Sequence, residues 1–135
     1  MTNSPSRFRG LFIPHVTPFG DDGALDLESL ERLTAHQTSI HGVAGLVSCA
    51  RIGEGPVLGL EEKRRVYEVA GKVARKDGKL HIATIAPQST DEAIRLIRDL
   101  ESLPVDAVMI FPPLLLAWGK AESELKLRSF EDTTH

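Results

Sequence analysis

The sequence predicts an α/β fold in which a parallel sheet is covered by helices. Short apolar runs alternate with longer amphipathic segments, which is the pattern of strands joined by crossover helices. The alternation recurs four times, at about 30 residues a unit, the usual size of a βα unit. A chain of 135 residues, with 41% hydrophobic and 26% charged residues, can build the buried core that such a sheet needs.

The first unit consists of a strand, a polar turn and a helix. We expect the strand at residues 11–16. Asp26 is expected to cap the helix, because its carboxylate can accept a hydrogen bond from a backbone N–H of the first turn. The helix should run to about Ile40, and Gly42 suits the left-handed residue that ends it. Three leucines at helical spacing form its expected inner stripe: Leu27, Leu30 and Leu33.

The second unit has the clearest helix. We expect its strand at residues 45–49, which carry few polar groups, as a strand covered on both faces should. A turn-rich loop follows, and the helix is expected at residues 60–74, with an acidic first turn and a basic last turn that match the helix dipole. Gly78 closes it. The expected apolar face is Val66, Val69, Ala70 and Val73.

The third and fourth units follow the same pattern. We expect strands at residues 81–85 and 106–111, and a proline pair stops the second of these because proline cannot donate to the ladder. Between them, Ser89 and Glu92 form a Ser-x-x-Glu capping box at the start of a helix. Residues 122–130 could begin a fourth helix.

Four such units make about half of a complete (β/α)₈ barrel, which needs about 250 residues. A small doubly wound sheet is the structural alternative. The dinucleotide-binding version of that fold requires a G-x-G-x-x-G segment, which this sequence lacks.

Composition and charge exclude several classes of protein. A net charge of −3 gives no electrostatic basis for binding nucleic acid, and a content of 5% aromatic residues argues against a stacking platform for single strands. The single cysteine, Cys49, excludes an internal disulfide and fits a reducing compartment. Pro14 and His15 interrupt the first apolar segment, which argues against a signal peptide or a membrane span. We therefore expect a cytoplasmic protein with no membrane partner.

Four stretches, in order along the chain, resemble the opening half of one enzyme family. They are GLFIPHVTPF at residues 10–19, GVAGLV at 42–47 with GEGP at 53–56, STDEAI at 89–94, and DAV at 106–108 with the proline pair at 112–113. Together they resemble the dihydrodipicolinate synthase and N-acetylneuraminate lyase family. The resemblance covers essentially the whole chain and implies the N-terminal half of a (β/α)₈ TIM barrel.

The resemblance implies a Schiff-base-forming class I aldolase or lyase. Such enzymes join a lysine to pyruvate or a related 2-oxo acid, because the protonated imine draws electrons from the adjacent carbon. They are usually homo-oligomers, and no cofactor is expected. The resemblance places the lysine on the sixth strand and a proton-shuttling tyrosine on the fifth, both beyond His135. It therefore implies no catalytic residue in this chain, which we expect to be truncated and inactive alone.

Two other functions remain open on the sequence alone. One is a non-catalytic half-barrel that works by self-association or by complementing another half, since the outer strands of half a barrel have unpaired edges. The other is a small, independent α/β binding module, which would be a compact monomer that unfolds cooperatively.

The substrate-binding loop that the resemblance implies is divergent here. The family usually has Gly-Thr-Thr-Gly-Glu, whereas residues 50–54 read Ala-Arg-Ile-Gly-Glu, so only Gly53 and Glu54 match cleanly. Ile52 can donate no side-chain hydrogen bond to a carboxylate. Arg51 could grip a substrate carboxylate with two hydrogen bonds in place of the lost hydroxyls, or it could be a solvent-facing residue that pairs with Glu54 or another acid.

The remaining candidates have weaker functional interpretations. Leu115 stands where the family typically has a tyrosine of the proton relay. Cys49 has no arranged histidine partner and is interpreted as a small buried residue, and His15 as a core histidine with satisfied hydrogen bonds. Lys120 is the only lysine near the expected site, but nothing around it would lower its pKa for imine formation. The histidines show no metal-ligand spacing, so no metal is assigned.

Overall fold

The computed structural model describes residues 7–113 as a four-stranded parallel sheet with three helices. Its elements are β1 (Leu11–Pro14), α1 (Leu27–Ser39), β2 (Val43–Ser48), α2 (Leu60–Lys76), β3 (Leu80–Ile85), α3 (Thr90–Leu100) and β4 (Ala107–Ile110). A short 3₁₀ helix, Gly55–Val57, lies between β2 and α2. The predicted alternation of strands and helices is confirmed, whereas the helix expected at residues 122–130 lies outside the described residues.

The strands follow one another in the sheet in chain order, β1-β2-β3-β4, and each neighbouring pair is parallel. The helices cover one face of this sheet, because Leu30 of α1, Val66 of α2 and Leu100 of α3 pack in one cluster with Ala83 and Ile85 of β3. Sequential parallel strands with all helices outside are the arrangement of a barrel segment. A doubly wound sheet has helices on both faces, so the structure does not support that alternative.

The predicted strand bounds are right to within two residues. β2 begins at Val43, two residues earlier than expected, and β1 ends at Pro14. Pairing nevertheless continues past β1, since the backbone N–H of His15 donates to the Val47 carbonyl oxygen at 3.2 Å.

Helix α1 begins as the sequence predicts but turns a more polar face inwards. The Asp26 carboxylate accepts the Ser29 N–H at 2.9 Å. Leu30 is buried as expected, but its buried neighbours are Thr34 and Thr38. Threonine is tolerated there because its hydroxyl bonds a carbonyl one turn back, as the Thr34 hydroxyl does to Leu30 at 2.8 Å. Leu27 also packs against this core although it is half-buried. The predicted stripe of three leucines is therefore wrong only at Leu33, which is half-buried and does not join the core cluster.

Two predicted helix-end signals need correction. Helix α1 ends at Ser39 with an extended Ile40, so Gly42, with φ of 88°, lies in the following turn and does not end the helix. At the start of α3, Ser89 Oγ accepts the Glu92 N–H at 3.2 Å, as expected. The Glu92 carboxylate, however, accepts the N–H of Gln88 at 2.7 Å, one residue before the position that a capping box predicts.

Helix α2 packs as its sequence pattern predicts. Val66, Ala70 and Val73 are buried, and Val69 is half-buried against the core. The helix runs to Lys76. Gly78 has φ of 67° just after its end, where a left-handed residue favours glycine.

Candidate substrate loop at the carboxyl edge of the sheet

The loop at residues 51–54 follows β2 at the carboxyl edge of the sheet. This is the edge at which barrels assemble their sites, because the loops after all parallel strands meet there. The loop is a compact double turn. The Ala50 carbonyl oxygen accepts N–H groups from Gly53 at 3.1 Å and Gly55 at 3.2 Å, and the Arg51 carbonyl oxygen accepts the Glu54 N–H at 3.1 Å.

Thr17, which follows β1, holds this loop from the neighbouring strand. Its hydroxyl donates to the Gly53 carbonyl oxygen at 2.7 Å, and the residue is buried. Gly53 must lack a side chain, since a Cβ there would lie 2.8 Å from the His15 carbonyl oxygen. The sequence reasoning did not assign Thr17, although its position at the end of the first strand, in Thr-Pro-Phe, was a signal that could have found it.

Two residues of this segment have backbone conformations that favour glycine. Cys49 and Glu54 each have φ of 56°, in the left-handed region that costs most side chains energy. They flank a close approach, because a Cβ on Gly55 would overlap the Cys49 carbonyl oxygen. The loop conformation is therefore imposed by its packing on the end of β2.

The four predicted site positions differ in exposure. Arg51, Ile52 and Glu54 are exposed at the carboxyl edge, with 54% of the Ile52 surface open to solvent, whereas Gly53 is buried. The structure thus brings one cationic, one apolar and one acidic side chain together on a short, fixed loop. Leu115 and Lys120 lie outside the described residues.

Cys49 is poorly suited to nucleophilic chemistry. It is 3% exposed, and burial raises the pKa of its thiol to about 12, so the thiolate is not populated at neutral pH. The structure confirms the interpretation of Cys49 as a small buried residue.

Thr84 of β3 is a polar residue on the inner face of the sheet that the sequence reasoning missed. Its neighbours Ala83 and Ile85 pack against the helices, so alternation along the strand directs Thr84 to the opposite face. Its backbone oxygen accepts the Tyr67 hydroxyl at 2.7 Å, but its own buried hydroxyl has no hydrogen-bond partner within the described residues. A buried, unpaired hydroxyl on the face that a barrel turns inwards can donate to a bound molecule.

Residues 7–113 contain no cluster of three or more histidine, cysteine or acidic side chains placed to hold a metal ion. Within the same residues, no helix has the length and apolar character that crossing a membrane requires.

Comparison with known proteins identifies the family. The Dihydrodipicolinate synthetase family profile matches residues 7–125. The 4-hydroxy-tetrahydrodipicolinate synthase of Acidiphilium cryptum is 38% identical over 91% of this chain and 40% of its own length. That of Moorella thermoacetica is 41% identical over 73% of this chain and 33% of its own. The chain thus spans well under half the length of these curated relatives.

Solved structures show the same relationship. Dihydrodipicolinate synthase from Aquifex aeolicus superposes with a TM-score of 0.70 at 29% identity, over 78% of this chain and 35% of that one. N-acetylneuraminate lyase from Proteus mirabilis, at 23% identity and a TM-score of 0.65, shares the fold over 76% of this chain and 34% of that one. The matched architecture is the N-terminal half of the TIM barrel. By sequence and by structure, this chain belongs to the dihydrodipicolinate synthetase family.

Proposed function

We propose that this chain supplies the N-terminal half of a Schiff-base lyase that binds pyruvate or a related 2-oxo acid. The observation that carries the proposal is the loop at residues 51–54, fixed by Thr17 at the carboxyl edge of a barrel segment in a member of this family. In the proposed enzyme, the proton-shuttling tyrosine lies on strand five and the imine-forming lysine on strand six. We therefore expect the 135 residues alone to be inactive.

Within this site, the loop residues have separate roles. Arg51 binds the substrate carboxylate, because a guanidinium presents paired N–H donors that match two carboxylate oxygens. Ile52 replaces a hydroxyl donor with an apolar wall, which favours a substrate with an apolar group at that point. Gly53 anchors the loop to Thr17, and Glu54 adopts the left-handed backbone conformation that leads into the 3₁₀ helix.

The setting of this half-site is a homo-oligomeric enzyme in the cytoplasm. Family membership supports the assembly, and the free, buried thiol of Cys49 is compatible with a reducing compartment. The reaction proposed here needs no cofactor, since a protein amine and a 2-oxo acid form the imine by losing one water molecule.

Reduction with borohydride in the presence of pyruvate tests the proposal. We expect no adduct by mass on the 135-residue chain. When it is co-expressed with the C-terminal half of the Acidiphilium cryptum synthase, we expect an adduct on that second half, formed only when both halves are present. An adduct on this chain by itself would contradict the proposal, and its loss in Lys120→Arg would identify the amine.

The second half also tests Arg51. In the complemented pair, Arg51→Ala should weaken pyruvate-dependent trapping, whereas Arg51→Lys should recover only part of it because a single ammonium lacks the paired geometry. If half-maximal trapping needs the same pyruvate concentration in Arg51→Ala as in the parent, Arg51 does not bind the substrate carboxylate.

A second candidate function is association without catalysis. The sheet has two uncovered edges within the described residues, β1 and β4, and Leu11 and Ile110 are 59% and 46% exposed there. Unpaired strand edges are templates for pairing with another chain. Sedimentation equilibrium distinguishes the two functions. A defined dimer of this chain that forms as its concentration rises favours association without catalysis. A monomer that forms a complex only with the C-terminal half of the synthase favours the enzyme.

A further inference from the structure

Three buried polar side chains form a continuous chain across the first three strands. His15 follows β1, Ser48 ends β2 and His81 lies in β3, and none is more than 1% exposed. His15 Nε2 lies 2.7 Å from Ser48 Oγ, which in turn lies 2.7 Å from His81 Nε2. We refer to these three residues as the His–Ser–His chain. It lies beneath the helices, on the face opposite the inner surface of the sheet, and is distinct from the substrate loop.

Each histidine also contacts a backbone carbonyl through its other ring nitrogen. His15 Nδ1 lies 2.9 Å from the Val16 oxygen, and His81 Nδ1 lies 2.9 Å from the Pro104 oxygen. A carbonyl oxygen only accepts, so both Nδ1 atoms must carry a hydrogen. A neutral imidazole has one N–H, which leaves both Nε2 atoms as acceptors towards Ser48.

When both rings are neutral, the His–Ser–His chain has one hydrogen fewer than its contacts require. There are four contacts, and each needs one hydrogen, but the two neutral rings and the serine hydroxyl supply three. Ser48 can donate to one ring only, so at the other ring two lone pairs face each other across 2.7 Å. One added proton on either Nε2 completes all four hydrogen bonds, because that ring then donates to Ser48 and Ser48 donates to the other ring.

The surroundings of the His–Ser–His chain oppose the uptake of a second proton by its two rings. Burial lowers the pKa of both rings, that of His81 to about 4, and the positive charge of one ring further opposes protonation of the other. Helix α1 turns only uncharged side chains inwards, which are Leu30, Thr34 and Thr38.

Two titratable groups approach His81 from the other packed elements. The Tyr67 ring of α2 lies 6.4 Å away between centroids, and burial raises the pKa of its hydroxyl, which stays neutral. The Asp106 carboxylate accepts the His81 backbone N–H at 3.0 Å and favours a positive ring. That carboxylate is partly neutralised by Arg7 at 3.2 Å.

We propose that the His–Ser–His chain is a binding site for one proton, which the folded protein takes up as the pH falls and shares between its two rings through Ser48. The site couples β1, β2 and β3 to the proton concentration. It holds the ends of the strands from which Thr17 and the substrate loop extend.

Nuclear magnetic resonance of the ring nitrogens in the full chain tests this directly. At pH 7 we expect His15 and His81 to carry hydrogen at Nδ1 and not at Nε2. On acidification their Nε2 signals should move together and account for one proton between them. Hydrogen on either Nε2 at pH 7, two independent full protonations, or unfolding while both rings are neutral would overturn the proposal.

Variants of Ser48 test the bridge. Ser48→Ala removes the acceptor that stabilises the charged ring, so the protonation midpoint should fall by about one pH unit, the equivalent of one hydrogen bond to a charged group. Ser48→Thr retains the hydroxyl and should retain the joint titration. An unchanged midpoint in Ser48→Ala would overturn the bridge, and the pH 7 measurement on the parent chain decides the outcome even if Ser48→Ala does not fold.

Discussion

Thr17 joins two strand ends through one buried hydrogen bond, from its hydroxyl to the Gly53 carbonyl oxygen at 2.7 Å. Replacing Thr17 by valine keeps the side-chain volume but leaves that carbonyl without its donor. We expect Thr17→Val to lower the free energy of unfolding by about 1–3 kcal/mol, the penalty for a buried unpaired polar group. The loop at residues 51–54 should also become more mobile in this variant.

Urea denaturation measures the stability change, and hydrogen exchange of the Gly53 and Gly55 amides measures the loosening. Thr17→Ser is the matched control, since it keeps the hydroxyl and should exchange more slowly than Thr17→Val. Equal stability and equal exchange in Thr17→Val and the parent would show that Thr17 does not hold the loop.

At the residue scale, sequence reasoning succeeded where a residue acts on its close neighbours in the chain. Asp26 was found because a helix cap bonds an N–H three residues on, as it does to Ser29. Thr17 was missed because its partner is 36 residues away, and Ser48 because its partners are each 33 residues away. Such contacts depend on which strands become neighbours and on which face each side chain lies, which local patterns do not contain.

At the scale of elements, the contact between α2 and the segment before β4 depends on Gly71. A Cβ at Gly71 would overlap the Pro104 carbonyl oxygen and lie 2.8 Å from His81 Nδ1. Alanine normally stabilises a helix interior by about 1 kcal/mol relative to glycine. At this position we expect Gly71→Ala to be destabilising by about 1–3 kcal/mol, because the helix must move away from the backbone it packs on.

Gly59→Ala is the matched control for this change. Gly59 has φ of −65°, and a Cβ there would meet only the end of the flexible Glu62 side chain, at 3.4 Å. Gly59 is also the N-cap of α2, where alanine is less favourable than glycine. Thermal unfolding should therefore show a smaller fall in the midpoint for Gly59→Ala than for Gly71→Ala. A Gly71→Ala chain as stable as the parent would mean that α2 and Pro104 are further apart than the structure has them.

The elements themselves were largely predictable, for a physical reason. Helix α2 has a buried stripe at helical spacing, with charges that suit its dipole at both ends, and its bounds came out within two residues. The inner face of α1 was predicted less well, because buried Thr34 and Thr38 satisfy their hydroxyls on their own helix and look polar in the sequence. The order of the strands was implied only by the family resemblance.

For the whole molecule, the two buried histidines predict a loss of stability in mild acid. The pKa of each lies below its ordinary value of 6.5 in the folded chain, that of His81 at about 4. The unfolded chain therefore binds more protons than the folded chain below pH 6.5. The contribution of the two histidines to the free energy of unfolding is fully present above that pH and decreases as the pH falls towards 4.

The steepness of this loss reports how many protons are involved. In the pH range where both rings are charged only in the unfolded chain, they should lower the free energy of unfolding by about 2.7 kcal/mol for each unit that the pH decreases. This is twice the value for one proton. Once the folded protein holds one proton in the His–Ser–His chain, the contribution of the two rings to this slope is halved. Urea denaturation between pH 7 and pH 4 measures the slope. His81→Gln should reduce this slope towards the value for one proton. An equal slope in His81→Gln and in the parent would mean that the buried His81 ring titrates as it does in the unfolded state.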